Sequence, residues 1–324
     1  MHNTSLLKRL VSLLAILAFS IFLLFSTLGG NESRNSASVL EKRNTSMPHI
    51  STLKRNTAIS ESVPARPLPA EPDILAESFL IWIIGDQAPV LGRNASKQMR
   101  PASLTKILTS LIAIEELDKD APVVFSSFAK AAGEKESPVP VGEAFIRNNA
   151  IRFAVVESAN DAAVALAEAV GRKRGAFSFD DAMSLFVQAA NQKARALGMV
   201  NSRFQNPTGL DDNGHYTTAE DMFLLVKNAW ESHPEIWEFS RANGADIRSL
   251  AGATYHIAAT NQLLAEFPAL FGGKTGLTDQ AKGALILLYP VKPNRTAVII
   301  ILGSDNRFED GRKLIHWLEE AFDS

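Results

Sequence analysis

Apolar residues at Leu104, Ile107, Leu108, Leu111, Ile112 and Ile114 recur at the i, i+3, i+4, i+7 spacing of an amphipathic helix. Pro101 stands just ahead of that helix and Ser103 at its N-terminal edge. A second long helical pattern runs from Ile151 to Val170. Ser178 with Asp181, and Thr217 with Glu220, have the spacing of capping boxes that open helices near 179–197 and 218–231. Before the first helix, Ser78 to Ile84 is a β-rich run closed by Gly85-Asp86, and Pro89-Val90-Leu91 starts a shorter one. After the helical block the pattern changes. Tyr255–Ala259, Leu270–Thr275, Ala284–Tyr289 and Thr296–Leu302 read as strands, and a last helix covers about Glu309 to Phe322. Strands flanking a helical block, with a first and a last helix belonging to the strand layer, predict an α+β fold: an antiparallel sheet flanked by helices plus an all-helical lobe. The cleft between two such lobes is the expected place for a site.

The N-terminal part reads differently. Leu10 to Leu28 is uncharged and mostly apolar behind Lys8 and Arg9, long enough to cross a bilayer. Residues 1–28 are therefore expected to be a membrane anchor, with a cleaved signal as the alternative, since Thr27-Leu28-Gly29 is a small-x-small site. Residues 29–72, rich in Ser, Asn, Thr, Pro and Arg without a sustained period, read as a disordered tether. Residues 73–324 are then the folded body. The tail end and the body also differ in charge. Residues 1–68 carry eight Lys/Arg against three Asp/Glu, so the remainder holds −7 of a net charge of −2. An acidic body argues against nucleic acid as a partner. The absence of cysteine excludes thiol catalysis, disulfides and Cys-zinc sites.

Candidate chemistry begins at Ser103. Lys106, three residues on, shares its helix face, and a serine hydroxyl becomes a nucleophile when a base beside it takes its proton. Burial near another cation lowers a lysine pKa far enough for that task. Ser5-Lys8, Ser51-Lys54 and Ser127-Lys130 match the same Ser-x-x-Lys spacing, so the pattern needs companions. Ser103 heads an ordered set, with Ser158-Ala159-Asn160 in the helical block and then Lys274-Thr275-Gly276 in the late strands, whereas Ser5 and Ser51 fall in the expected anchor and tether. Ser33-Arg34-Asn35 and Ser304-Asp305-Asn306 also match Ser-x-Asn, but the latter follows Lys-Thr-Gly and reads as a turn that caps the last helix. No His-Glu-x-x-His or Gly-x-Ser-x-Gly motif surrounds these residues.

With Pro101-Ala102-Ser103-Leu104-Thr105-Lys106, Ser158-Ala159-Asn160-Asp161, Asn206-Pro207-Thr208-Gly209-Leu210-Asp211 and Lys274-Thr275-Gly276-Leu277-Thr278-Asp279, the chain resembles the D-alanyl-D-alanine carboxypeptidases of the low-molecular-mass penicillin-binding type, the S11 serine peptidases. The likeness covers roughly residues 75 to 320. It implies the serine β-lactamase/DD-peptidase fold, no cofactor or metal, peptidoglycan stem peptides as substrate and β-lactam antibiotics as acylating ligands. It implies Ser103 as nucleophile, Lys106 as its base and Ser158 as proton donor to the leaving amine. Asn160, Lys274, Thr275 and Gly276 would bind substrate, and the backbone N–H groups of Ser103 and Leu277 would hold the oxyanion. The place of action it implies is the periplasmic side of the cell envelope. Three residues depart from the family's habit: Gly273 where an apolar residue is usual, Glu157 where apolar or proline is commoner, and Lys282 where glycine is frequent. A D,D-endopeptidase of the same family is the alternative. A class A-like β-lactamase fits less well, because Asn191 to Asn206 holds no glutamate to drive deacylation.

Overall fold

The computed structural model describes residues 67–292 and 294–322. The expected anchor, most of the tether, and the decoy motifs at Ser5, Ser33 and Ser51 lie outside the described residues. Strands β1 (Ser78–Ile83), β2 (Leu91–Arg93), β7 (Gly272–Thr278), β8 (Lys282–Val291) and β9 (Arg295–Ser304) form one antiparallel sheet in the order β2-β1-β9-β8-β7. Two-residue alternation assigns its faces: Phe79, Ile81 and Ile83 join one core cluster and Leu80 the other. All but the first residue of β9 are buried, which is why it reads as an unbroken apolar run.

Helix α9 (Arg307–Phe322) covers the back of the sheet with Leu314, Ile315, Trp317 and Leu318, and the four-residue α8 (Leu263–Glu266) lies beside it. Trp317 Nε1 donates to the carbonyls of Pro69 and Ala70, so the chain already lies on α9 there. The front of the sheet meets α1 (Thr105–Glu116), in which every residue from Thr105 to Ile114 is buried. A helix covered on all sides needs partners all round. They come from α3 (Arg147–Arg152), α4 (Asn160–Lys173), α5 (Phe179–Ala196), α6 (Ala219–Ser232) and α7 (Glu235–Ser240), which with the four-residue α2 (Ser127–Lys130) build the helical lobe.

Two sequence expectations are revised. The pattern from Ile151 to Val170 is not one helix: α3 runs into a π-helical turn (Phe153–Glu157), Ser158 adopts a left-handed φ of 66°, and α4 restarts at Asn160. The cap of α6 is Thr218, whose side chain accepts from Asp221 N, one residue along from the Thr217–Glu220 pair. The Ser178–Asp181 capping box on α5 forms as expected. The short pairs β3 (Pro122–Val124) with β4 (Ala144–Ile146), and β5 (Gly244–Arg248) with β6 (Thr254–Ala258), have signals too brief to read, apart from Tyr255–Ala259 on β6.

Candidate active site

Ser103 sits in a single 3-10 turn (Ala102–Leu104) that leads into α1. One helical turn brings Lys106 Nζ to 2.8 Å from Ser103 Oγ. The same nitrogen lies 2.7 Å from Asn160 Oδ1 and 2.8 Å from the carbonyl of Thr208. Both are acceptors with no proton to give. They use the two N–H bonds of a neutral amine and leave its lone pair for the serine hydroxyl. Burial, and secondarily Lys135, lowers the Lys106 pKa from its ordinary value to about 7.

The break at Ser158 has a purpose in the cleft. Leaving the helix path there lets Ser158 Oγ meet Lys274 Nζ at 2.7 Å, while Asn160 starts α4 facing Lys106. Asn160 Nδ2 donates to Gly133 O, and Asn160 N to Lys135 O, so the 133–137 loop fixes the amide. A left-handed serine is an uncommon conformation that such surroundings must sustain.

Lys274, Thr275 and Gly276 lie on β7, the edge strand of the sheet. Lys274 Nζ donates to Thr275 O as well as Ser158 Oγ, leaving one N–H free in the ammonium form. Its pKa is pushed well below the ordinary value by burial, then by Lys106, Lys135 and Arg307. The two amines are buried together, and Lys106 disfavours a charge on Lys274. The Thr275 hydroxyl lies 2.6 Å from that of Thr260. A Cβ on Gly276 would come within 2.9 Å of Ala102 Cβ and 3.0 Å of Ser103 N, so a bare Cα keeps the groove between β7 and Ser103 open. Leu277 is exposed at the mouth.

The departures from the family pattern acquire reasons. A Cβ at Gly273 would stand 2.4 Å from Ile286 O, leaving no room for the usual apolar residue. Lys282 has a φ of +56°, the region glycine occupies freely, and its amine pairs with Asp305 at 3.0 Å. Glu157 is half-buried beside Lys135, and burial raises its pKa.

Several contributors were not legible in the sequence. Thr208 supplies a backbone carbonyl, presented by a turn in which Asn206 Oδ1 accepts from Thr208 N and Gly209 N. Lys135 and Arg307 are cations on remote segments that converge on the lysines, and Arg307 Nε is buried without a hydrogen-bond partner. Thr260 is an unremarkable threonine between β6 and α8. The decoys fall elsewhere. Ser304 Oγ donates to Asp310 Oδ2 at 2.6 Å and accepts from Asn306 N, while Asn306 Oδ1 caps α9 by accepting from Glu309 N, so the motif is the turn and cap it was expected to be. Lys130 pairs with the buried Asp161. His215 contacts Thr105, and His256 contacts Asp246 on an exposed hairpin.

Comparison with known proteins agrees in one direction. The family model for S11 peptidases, described as D-alanyl-D-alanine carboxypeptidase, matches residues 66–306. The D-alanyl-D-alanine carboxypeptidase DacF of Bacillus subtilis is 30% identical over 248 residues, which are 75% of this chain and 61% of the relative. The chain thus spans about three-fifths of that relative's length. A D-alanyl-D-alanine endopeptidase of Pseudomonas aeruginosa is 27% identical over 81% of this chain and 84% of its own length. Among solved structures, the Streptomyces K15 DD-transpeptidase superposes with a TM-score of 0.71 at 21% identity, over 77% of this chain and 98% of that one, a likeness of fold.

Proposed function

The chain belongs to the S11 family of D-alanyl-D-alanine carboxypeptidases, and from that premise we propose that it removes the terminal D-alanine from peptidoglycan stem pentapeptides through an ester on Ser103, which penicillins also form. The observation that carries this reading is the Lys106 amine, 2.8 Å from Ser103 Oγ with its other two contacts on obligate acceptors. Ser103 Oγ attacks the carbonyl carbon of the penultimate D-alanine while Lys106 takes its proton. The oxygen that gains charge is held by the N–H groups of Ser103 and Leu277. Ser158, whose oxygen accepts from Lys274, passes its proton to the nitrogen of the leaving D-alanine and is resupplied by Lys106. The C–N bond breaks, D-alanine departs, and water hydrolyses the ester by the reverse proton path. Asn160 fixes Lys106 and the substrate amide. Lys274 and Thr275, joined by Arg307, receive the free carboxylate. Gly276 lets the peptide lie along the edge of β7.

The decisive experiment supplies a stem pentapeptide and measures free D-alanine, then adds penicillin and follows the mass of the protein. Stoichiometric release of D-alanine and a slowly lost adduct are expected. Rapid hydrolysis of the penicillin without a lasting adduct would make the protein a β-lactamase. The 84% coverage of the Pseudomonas endopeptidase favours a second reading, cleavage of crosslinked stem peptides. Crosslinked dimers cleaved faster than pentapeptides lose D-alanine would establish it.

Residues 73–324 are proposed as the catalytic domain, 29–72 as a tether and 10–28 as the segment that holds it to the outer face of the inner membrane. Among the described residues no helix is long and apolar enough to cross a membrane. Full-length protein is expected in the membrane fraction, and protein starting near Pro69 in the soluble one with full peptidase activity. Soluble full-length protein beginning near Gly30 would show a cleaved leader instead.

A further inference from the structure

Behind the nucleophile lies a chain of buried hydrogen bonds, and we propose that His215, acting through the Thr105 hydroxyl, is the positioning residue that aims the oxyanion-binding N–H of Ser103. This rests on the reading of Ser103 as nucleophile given above. The peptide unit between Ala102 and Ser103 is planar, so the direction of the Ala102 carbonyl fixes that of the Ser103 N–H. Ala102 holds a φ of +47°, which a residue with a Cβ seldom adopts unaided. Its carbonyl accepts twice from Thr105, once from the backbone N–H and once from Oγ1 at 2.9 Å. Gly209 presses on the same oxygen: a Cβ there would stand 1.7 Å away.

The threonine hydroxyl has one proton, and Ala102 takes it. Its contact with His215 Nε2 at 3.0 Å must then be a donation from the ring. Nδ1 is left as an acceptor, and Gln205 N–H points at it from 3.5 Å. The ring is 2% exposed, with Phe204 edge-on at 5.5 Å, and burial lowers its pKa to about 4, so it stays neutral and keeps this tautomer. Asp212 and Asp211 oppose that shift and Arg100 adds to it. On the other side of the peptide unit lies the groove that Gly276 leaves open beside Ser103 N. A carbonyl that accepts two hydrogen bonds also makes the N–H of its own amide a stronger donor. His215 and Thr105 thus point, and polarise, an N–H that neither of them touches.

The test uses penicillin acylation with the binding and ester-forming steps measured separately, and difference infrared spectra of the ester carbonyl. Thr105→Val and His215→Leu are expected to slow ester formation about tenfold, a fraction of what losing an oxyanion donor costs, with penicillin binding changed less than about twofold. Their ester carbonyl should absorb at higher frequency, because the hole polarises it less. Thr105→Ser and His215→Gln, which retain the donors, should recover both readouts. The double variant should be no slower than Thr105→Val, since the histidine works through the threonine. Thr105→Val keeps the side-chain shape and carries the test alone if His215→Leu does not fold. An unchanged carbonyl frequency in Thr105→Val, failure of His215→Gln to recover it, or multiplying rate effects in the double variant would overturn the proposal. Wild-type protein that forms no ester would instead sink the nucleophile reading, whereas variants that esterify at the wild-type rate sink only the relay.

Discussion

Ser103→Ala is expected to abolish the penicillin adduct and D-alanine release together, with peptidase activity down by on the order of 10⁵-fold or more. The size follows from what remains. The cleft, the oxyanion donors and Lys106 persist, but among the described residues no other serine hydroxyl is hydrogen-bonded to that amine. Ser158 Oγ is the rival within the site, and it accepts from the donor Lys274, which lowers its nucleophilicity. Ser304→Ala is the control: its hydroxyl donates to the buried Asp310 beside the cap of α9, so it should cost about 1–3 kcal/mol of stability and keep the adduct. Intact-protein mass spectrometry with D-alanine release in parallel reads both. Normal labelling of the Ser103 variant would end the assignment.

The second large effect concerns proton transfer. Ester formation needs the Lys106 amine unprotonated, and its pKa of about 7 means that the active fraction grows as pH rises. Below that value the acylation rate should climb about tenfold per pH unit, then level off above it, far short of the ordinary lysine value of about 10.4. Lys106→Arg, which holds its proton at every accessible pH, should acylate on the order of 10²–10⁴-fold more slowly and lose the acid limb. Circular dichroism would show whether it folds. An arginine variant that acylates at a near-normal rate would rule out lysine as the base and send the proton through Ser158. Burial is the main cause of the low Lys106 pKa, and the neighbouring cation that adds to it is Lys135.

What the sequence conveyed depended on the kind of signal. Ser103 and Lys106 lie one helical turn apart, so their contact follows from spacing, and Lys274-Thr275-Gly276 sits on a strand that its apolar neighbours announce. The interruption at Ser158 was hidden because Ile151, Phe153, Val155 and Val156 stay apolar through the π-turn, and hydrophobic period is insensitive to the rewinding of a few residues. The capping error at Thr217 arose because two adjacent threonines offer overlapping patterns, and only geometry chose Thr218. Lys135, Arg307 and His215 escaped for a different reason. Each acts across a tertiary contact, on residues with which it shares no local period, and a lone charged or polar residue looks the same in a cleft as on a surface. The carbonyl of Thr208 could not be read at all, since every residue has one.

The pairing of β1 with β9, which sets Ile81 opposite Ile299, has a consequence for the order in which the protein is made. A ribosome adding about 5–20 residues each second completes the turn bearing Ser103 long before it reaches Lys274. Even then β7 has no place to dock until β8 and β9 exist, because it joins the sheet only through them. Closing so large a loop costs entropy that only the assembled sheet repays. A growing chain therefore owns its nucleophile and its base for many seconds without owning an active site. If Ser103 is the nucleophile, penicillin should mark only molecules whose sheet is complete, so the adduct would count assembled domains and ignore nascent ones.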